Sequence, residues 1–120
     1  MADATHNRLV VESLTVTFAA LADPTRRMIL ERLAGGPASV SDLAGPFRMS
    51  QQAVSKHIAY LQRARLIVKR RQGRQHFCRL RPAPIKEVSD WAARYRVQWE
   101  QKFDRLDQYL KEIQSKKPKP

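Results

Sequence analysis

Apolar residues recur along this chain first with helical spacing, then with strand spacing, then with helical spacing again. In residues 9–22, Val10, Leu14, Phe18 and Leu21 lie four, four and three apart, which marks one face of a first helix. Asp23-Pro24 predicts a restart, because aspartate caps free backbone N–H groups and proline at the first helical position has no donor to lose. The second helix runs to about Leu33 with Ile29, Leu30 and Leu33 inward, and Gly35-Gly36-Pro37 ends it. Ser39 or Ser41 opens a short third helix carrying Val40, Leu43 and Ala44, which Gly45-Pro46 closes. Ser50 caps a fourth helix of about fourteen residues, whose buried stripe is Val54, Ile58 and Leu61.

Residues 66–71 and 75–81 then read as two strands around Gln72-Gly73-Arg74, with Leu66, Val68, Cys78 and Leu80 inward. Gly73 supplies the positive φ that a tight hairpin needs. Beyond Pro82 and Pro84, helical spacing returns over residues 85–113. Val88, Ala92, Tyr95, Trp99, Phe103, Leu106, Leu110 and Ile113 recur every three or four residues, a stripe of ~40 Å at the helical rise. A 120-residue chain has little spare core to cover it, so a second copy is expected to do so. The expected homodimer interface is Leu14, Phe18, Val88, Tyr95, Trp99, Phe103, Leu106 and Leu110. The fold class is thus mainly α with a small β-hairpin: a winged helix-turn-helix, its turn at residues 45–49, with long N- and C-terminal helices forming a homodimer. Residues 1–8 read as a flexible N-terminus, 9–82 as the winged helix-turn-helix, 83–114 as the dimerisation helix and 115–120 as a disordered basic tail.

Charge changes this picture from a fold to a partner. The chain carries +12, yet the excess is confined to one region. Residues 43–86 hold eleven Lys and Arg and no Asp or Glu, whereas residues 1–42 sum to −1 and residues 87–120 to +2. A solvated face mixes signs, so this segregation predicts a surface for a polyanion, namely nucleic acid or an anionic membrane surface. No uncharged apolar run approaches the ~20 residues of a membrane span. Residues 10–22 resemble a signal peptide ending in Ala20-Leu21-Ala22, but Glu12 interrupts the run and the helical pattern continues, so a structural helix is expected. The single cysteine, Cys78, excludes an internal disulfide framework and a multi-cysteine metal site, and the expected compartment is the cytoplasm.

Opposite its buried stripe, the fourth helix presents Gln51, Gln52, Ser55 and Lys56, after Ser50 at its cap. Glutamine pairs with adenine edges and lysine with guanine O6 and N7, while small residues let the backbone approach the major groove. The hairpin tip presents Arg70, Arg71, Arg74 and Gln75 for the phosphate backbone or the minor groove. The expected partner is double-stranded DNA, with no membrane role.

At this point the chain resembles the ArsR/SmtB family of dimeric bacterial repressors. The resemblance rests on ALADPTRRMILERL at 20–33, SVSDLA at 39–44, MSQQAVSKHIAYLQRARLI at 49–67 and RRQGRQHFCRL at 70–80, in that order and spacing. It implies a homodimer that binds an inverted-repeat operator and represses transcription, often of its own gene. Metal-sensing members carry Cys-Val-Cys on the third helix, where this chain reads Ser39-Val40-Ser41, and serine hydroxyls are poor ligands for soft metals. Other members bind zinc through Asp and His on the last helix, which here contains no histidine. The three histidines, His6, His57 and His76, show no i, i+4 pairing, so no metal site and no cofactor are expected.

Several residues carry two readings. His57 is a structural residue or a base reader, and His76 a phosphate contact or an ordinary strand residue. Cys78 is an inert buried thiol or a redox switch, and Arg26 and Arg27 face phosphate or solvent. Trp91, Tyr95, Trp99 and Phe103 form a dimer core or line an apolar effector pocket. The alternatives to a repressor without a metal switch are therefore an effector-gated repressor, a non-specific architectural protein and a protein-interaction module. An enzyme is excluded by the lack of a Gly-rich phosphate loop, a clustered carboxylate pair or a nucleophile with a base at readable spacing.

Overall fold

The computed structural model describes the backbone of residues 2–116 and the side chains of residues 11–116. The elements are α1 (Ala2–Leu21), α2 (Pro24–Ala34), β1 (Ala38–Ser39), α3 (Val40–Ala44), α4 (Gln51–Arg63), β2 (Ile67–Gln72), β3 (Gln75–Leu80) and α5 (Pro82–Lys116). Contacts divide the chain into two units, residues 1–88 and residues 89–120. In the first, helices surround a three-stranded antiparallel sheet of order β1-β3-β2.

Local chemistry sets most of the helix limits. The Asp23 carboxylate accepts the Arg26 N–H at 3.0 Å, and Pro24 follows as the first residue of α2. Ser39 caps α3 by accepting the Asp42 N–H, and Ser50 caps α4 by accepting the Ala53 N–H. After α4, Arg65 takes a left-handed conformation at φ 62°, and the Leu66 N–H reaches back to the Leu61 carbonyl. The chain thereby turns out of the helix within two residues and enters β2. Gly73, at φ 65°, occupies the first central position of the two-residue turn between β2 and β3, where a side chain would be strained.

The core comprises Ile29 and Leu33 of α2, Leu43 of α3, Val54, Ile58 and Leu61 of α4, then Leu66, Ile67 and Cys78. The expected stripe of α4 is therefore the buried one. Two other expectations shift. The hairpin gains a third strand, because Ala38 and Ser39 run extended beside β3 and pair with Cys78 and Phe77. On β2, Ile67 rather than Val68 faces the core: Ile67 lies opposite Leu80 and Lys69 opposite Cys78, so these four share the inner face. Among the described side chains of α1, Thr17 and Ala20 are buried, Leu14 and Leu21 are half-buried, and Phe18 is 39% exposed. Small side chains let α1 pack closely here, and the Thr17 hydroxyl is satisfied by the Ser13 carbonyl.

No glycine or proline interrupts residues 2–21, and the α1 backbone is helical from Ala2, through the segment read as a flexible terminus. At the other end, Ser115 and Lys116 are helical, while the remaining tail residues, 117–120, lie outside the described residues. Pro82 and Pro84 fit the first turn of α5, where backbone donors have no helical acceptor. In the first unit, Ile85 packs on the core and the Ser13 hydroxyl donates to the Glu87 carboxylate at 3.0 Å, which fastens α1 to the second turn of α5. In the second unit no described residue is buried. Tyr95, Trp99, Phe103, Leu106 and Leu110 are 48–60% exposed, with Trp91 against Tyr95 and Trp99 against Phe103 at ring separations of 4.8 and 5.7 Å.

Candidate nucleic-acid interface

The reading-helix candidates fall into two adjacent rows, each pairing residues four apart. Gln52 and Lys56 are exposed and point away from the core stripe. Gln51 and Ser55 line a cleft of about 260 Å³ between α3, α4 and the hairpin, with Ser55 half-buried. Ser50 is exposed, but its hydroxyl oxygen is already engaged as the cap of α4, so it fixes the start of the helix. At the hairpin tip, Arg70, Arg71, Arg74 and Gln75 are all exposed. Arg71 folds back, donating from Nε to the Gly73 carbonyl at 3.1 Å, and so braces the turn. Arg74 and Gln75 line the same cleft as Gln51 and Ser55. The cleft thus brings together Gln51 and Ser55 of the helix with Arg74 and Gln75 of the wing, whereas Arg70 and Arg71 line a second cavity with Val68, Phe77 and Arg79.

A cluster on the other flank of α4 holds the helix in place. Arg26 donates from Nε to the Ala20 carbonyl at 2.7 Å and from Nη2 to the Ala19 carbonyl at 3.0 Å, while its guanidinium lies 4.0 Å from the Tyr60 ring centre. Arg27 donates to the Leu21 carbonyl at 2.7 Å. Both arginines therefore cap the last turn of α1, and Arg26 joins that end to α4. His57 belongs to the same cluster, with Nδ1 3.5 Å from Arg26 Nη1 and 3.8 Å from the Asp23 carboxylate. It is half-buried, and these contacts are with side chains rather than with backbone. The Arg26 N–H chiefly holds the Asp23 carboxyl below its usual pKa, and the nearby His57 and Arg26 charges act in the same direction against partial burial.

Cys78 is fully buried on the inner face of β3, and burial pushes its thiol up, away from the reactive thiolate. Among the described residues, no three of His, Cys, Asp and Glu gather as metal ligands would. The side chain of His6 lies outside the described residues. Ser39, at one of the positions where metal-sensing relatives carry cysteine, is buried and spends its oxygen on the α3 cap. No helix is long and apolar enough to cross a membrane among the described residues.

Sequence reasoning missed Lys69 and Ser41 as walls of the cleft and treated His76 as optional there. The available signal was strand register: with Ile67 inward, Lys69 must follow on the same face.

A helix-turn-helix domain family matches residues 21–70. The chain is 48% identical over 66 residues to the HTH-type transcriptional regulator Rv2034 of Mycobacterium tuberculosis, a match covering 55% of this chain and 62% of that protein. It is 34% identical to the transcriptional repressor SdpR of Bacillus subtilis, across 62% of this chain and 82% of the repressor. Its structure is similar to the crystal structure of the ArsR family transcriptional regulator RHA00566, with a TM-score of 0.68 and 44% identity over 74% of this chain and 92% of that one. Fold, motif order and these likenesses agree, and the chain belongs to the ArsR family of winged helix-turn-helix transcriptional regulators, a family of regulators rather than enzymes.

Proposed function

We propose that this protein is a cytoplasmic transcriptional repressor that binds an inverted-repeat operator in double-stranded DNA as a homodimer. The observation that carries the reading is the pairing of an exposed Gln52–Lys56 row on α4 with an exposed arginine-rich wing, in a stretch of 44 residues without a carboxylate. Gln52 and Lys56 read base edges in the major groove, Gln51 and Ser55 flank them, and Arg70, Arg74 and Gln75 hold the backbone. Ser50 and Arg71 support these contacts, as cap and as brace of the turn.

Dimerisation supplies the second half-site. Val88, Tyr95, Trp99, Phe103, Leu106 and Leu110 of α5, with Leu14 and Phe18 of α1, form the interface with a second copy. Twofold symmetry then sets the two reading helices about 34 Å apart, one turn of B-DNA. Repression needs no metal at the third helix, where the Ser39 oxygen is committed to its cap.

The test is fluorescence anisotropy with a duplex from upstream of the gene and a scrambled duplex of equal length, at several salt concentrations. The expected result is a preference of a hundredfold or more for the upstream duplex. With about four phosphates neutralised per subunit, log K is expected to fall by about seven per decade of salt. A flat salt dependence would contradict DNA binding through this face, and equal binding of both duplexes would favour an architectural protein.

A further inference from the structure

We infer that the cleft between α3, α4 and the hairpin is a seat for a single phosphoryl oxyanion, in which Lys69 is the principal cation. This deepens the DNA-binding reading and rests on it for the source of one of its two ligands. The cleft has a volume of about 260 Å³. Its walls include Lys69 and His76 of the hairpin, Arg74 of the turn, Ser41 of α3, and Gln51 and Ser55 of α4.

The argument begins with strand register. Lys69 stands opposite the buried Cys78, which places it on the inner face of the hairpin, half-buried beneath the tip. A strand lysine on an inner face needs an anionic partner or water. No residue lining this cleft is a carboxylate. Arg74 adds a second fixed charge from the turn. The hydroxyls of Ser41 and Ser55, the Gln51 amide and the His76 ring each bring a donor. Two cations and four neutral donors, drawn from three elements around one space, match the several acceptor oxygens of a tetrahedral oxyanion better than the planar pair of a carboxylate. The seat also separates the two rows of α4. Gln51 and Ser55 serve the oxyanion, and Gln52 and Lys56, outside the cleft, are left to the bases.

A phosphoryl group reaches this seat from the DNA backbone or as free phosphate. The experiment therefore has two arms, applied to wild-type protein, Lys69→Met and Lys69→Arg, each checked for folding by thermal melting. In the first arm, anisotropy follows the upstream and scrambled duplexes over a range of salt. Loss of one phosphate contact in each subunit of a dimer is expected to flatten the slope of log K against log salt by about two in Lys69→Met. Both duplexes weaken alike, and Lys69→Arg restores the slope. In the second arm, NMR follows the Ser41, Ser55 and His76 amides of DNA-free protein as inorganic phosphate replaces chloride at constant ionic strength. Shifts are expected in wild type and Lys69→Arg and not in Lys69→Met. A response in the first arm alone assigns the seat to backbone phosphate, and in the second alone to a free anion. A folded Lys69→Met protein with an unchanged slope, together with wild-type amides that ignore phosphate, overturns the inference. Should Lys69→Met not fold, the wild-type phosphate titration and the Lys69→Arg slope decide alone: no phosphate shifts with an altered Lys69→Arg slope overturn it. If wild-type protein shows no salt-dependent binding to either duplex, the proposed function fails, while the phosphate arm still judges the seat.

Discussion

Helices α4 and α5 are both amphipathic, and they leave opposite faces open. The thirteen residues of α4 hide Val54, Ile58 and Leu61 in the core of their own chain and expose Gln52 and Lys56. In residues 89–116 of α5 the apolar positions have no such core, and Trp99, Phe103 and Leu106 remain more than half exposed. A polar face left outside a satisfied helix is free to recognise a ligand. An apolar face of this length left outside calls for another protein surface. The contrast teaches that hydrophobic periodicity alone does not say where a stripe is buried. The supply of core in the same chain decides it.

That comparison can be broken most forcefully from the α4 side. Ile58 is 1% exposed, so Ile58→Ala should cost ~2–5 kcal/mol through lost burial and a residual cavity. Denaturant unfolding of the proposed dimer and of a dissociated variant should show the same loss, because the contact lies within one chain. From the α5 side, Leu106→Glu should raise the dimer dissociation constant about a hundredfold, or ~2.8 kcal/mol, by placing a charge in the proposed interface. Sedimentation across a concentration series checks this, with the far-ultraviolet spectrum of the compact unit unchanged. A variant that stays dimeric would remove the stripe from the interface.

Smaller effects sharpen the division within the reading face. Arg74→Ala should weaken the upstream and scrambled duplexes equally and flatten the salt slope by roughly one per lost contact. Asp23 gives the smallest effect. Asp23→Ala should lose ~1 kcal/mol as an N-cap. The folded Asp23 carboxyl is held below its ordinary value of 3.8, so its contribution is present at neutral pH and fades as pH falls from about 4 through the lower folded value. Stability curves of wild type and Asp23→Ala should therefore converge in strong acid.

How much of this was legible in the sequence varied by element. The α4 stripe, the Ser50 cap and the Asp23-Pro24 restart were legible because each signal is local and several agree at each place. The β2 register was not. Leu66, Ile67 and Val68 are three consecutive apolar residues, and either phase satisfies alternation. A slip of one residue exchanges the two faces of a strand, and it hid Lys69 from the reading of the site. Arg26 and His57 were illegible for another reason. Arg26 meets α1 carbonyls and the Tyr60 ring, and His57 meets Arg26 and Asp23, at sequence separations that no local pattern encodes. The face that α1 buries in its own chain was not legible, because Thr17 and Ala20 carry too little apolar signal beside Leu14 and Phe18, which were read as dimer-interface residues.

The central claim is that the exposed Gln52–Lys56 row carries sequence recognition while the wing carries affinity. The most direct test is the ratio of affinities for the upstream and scrambled duplexes, measured for wild type and for the double variant Gln52→Ala/Lys56→Ala at one salt concentration. The account predicts that the ratio falls at least tenfold, mostly through loss on the upstream duplex, with Gln52 and Lys56 each worth ~1–3 kcal/mol of base discrimination. A double variant that weakens both duplexes equally and keeps the wild-type ratio would contradict it, and would move recognition to another element of the fold.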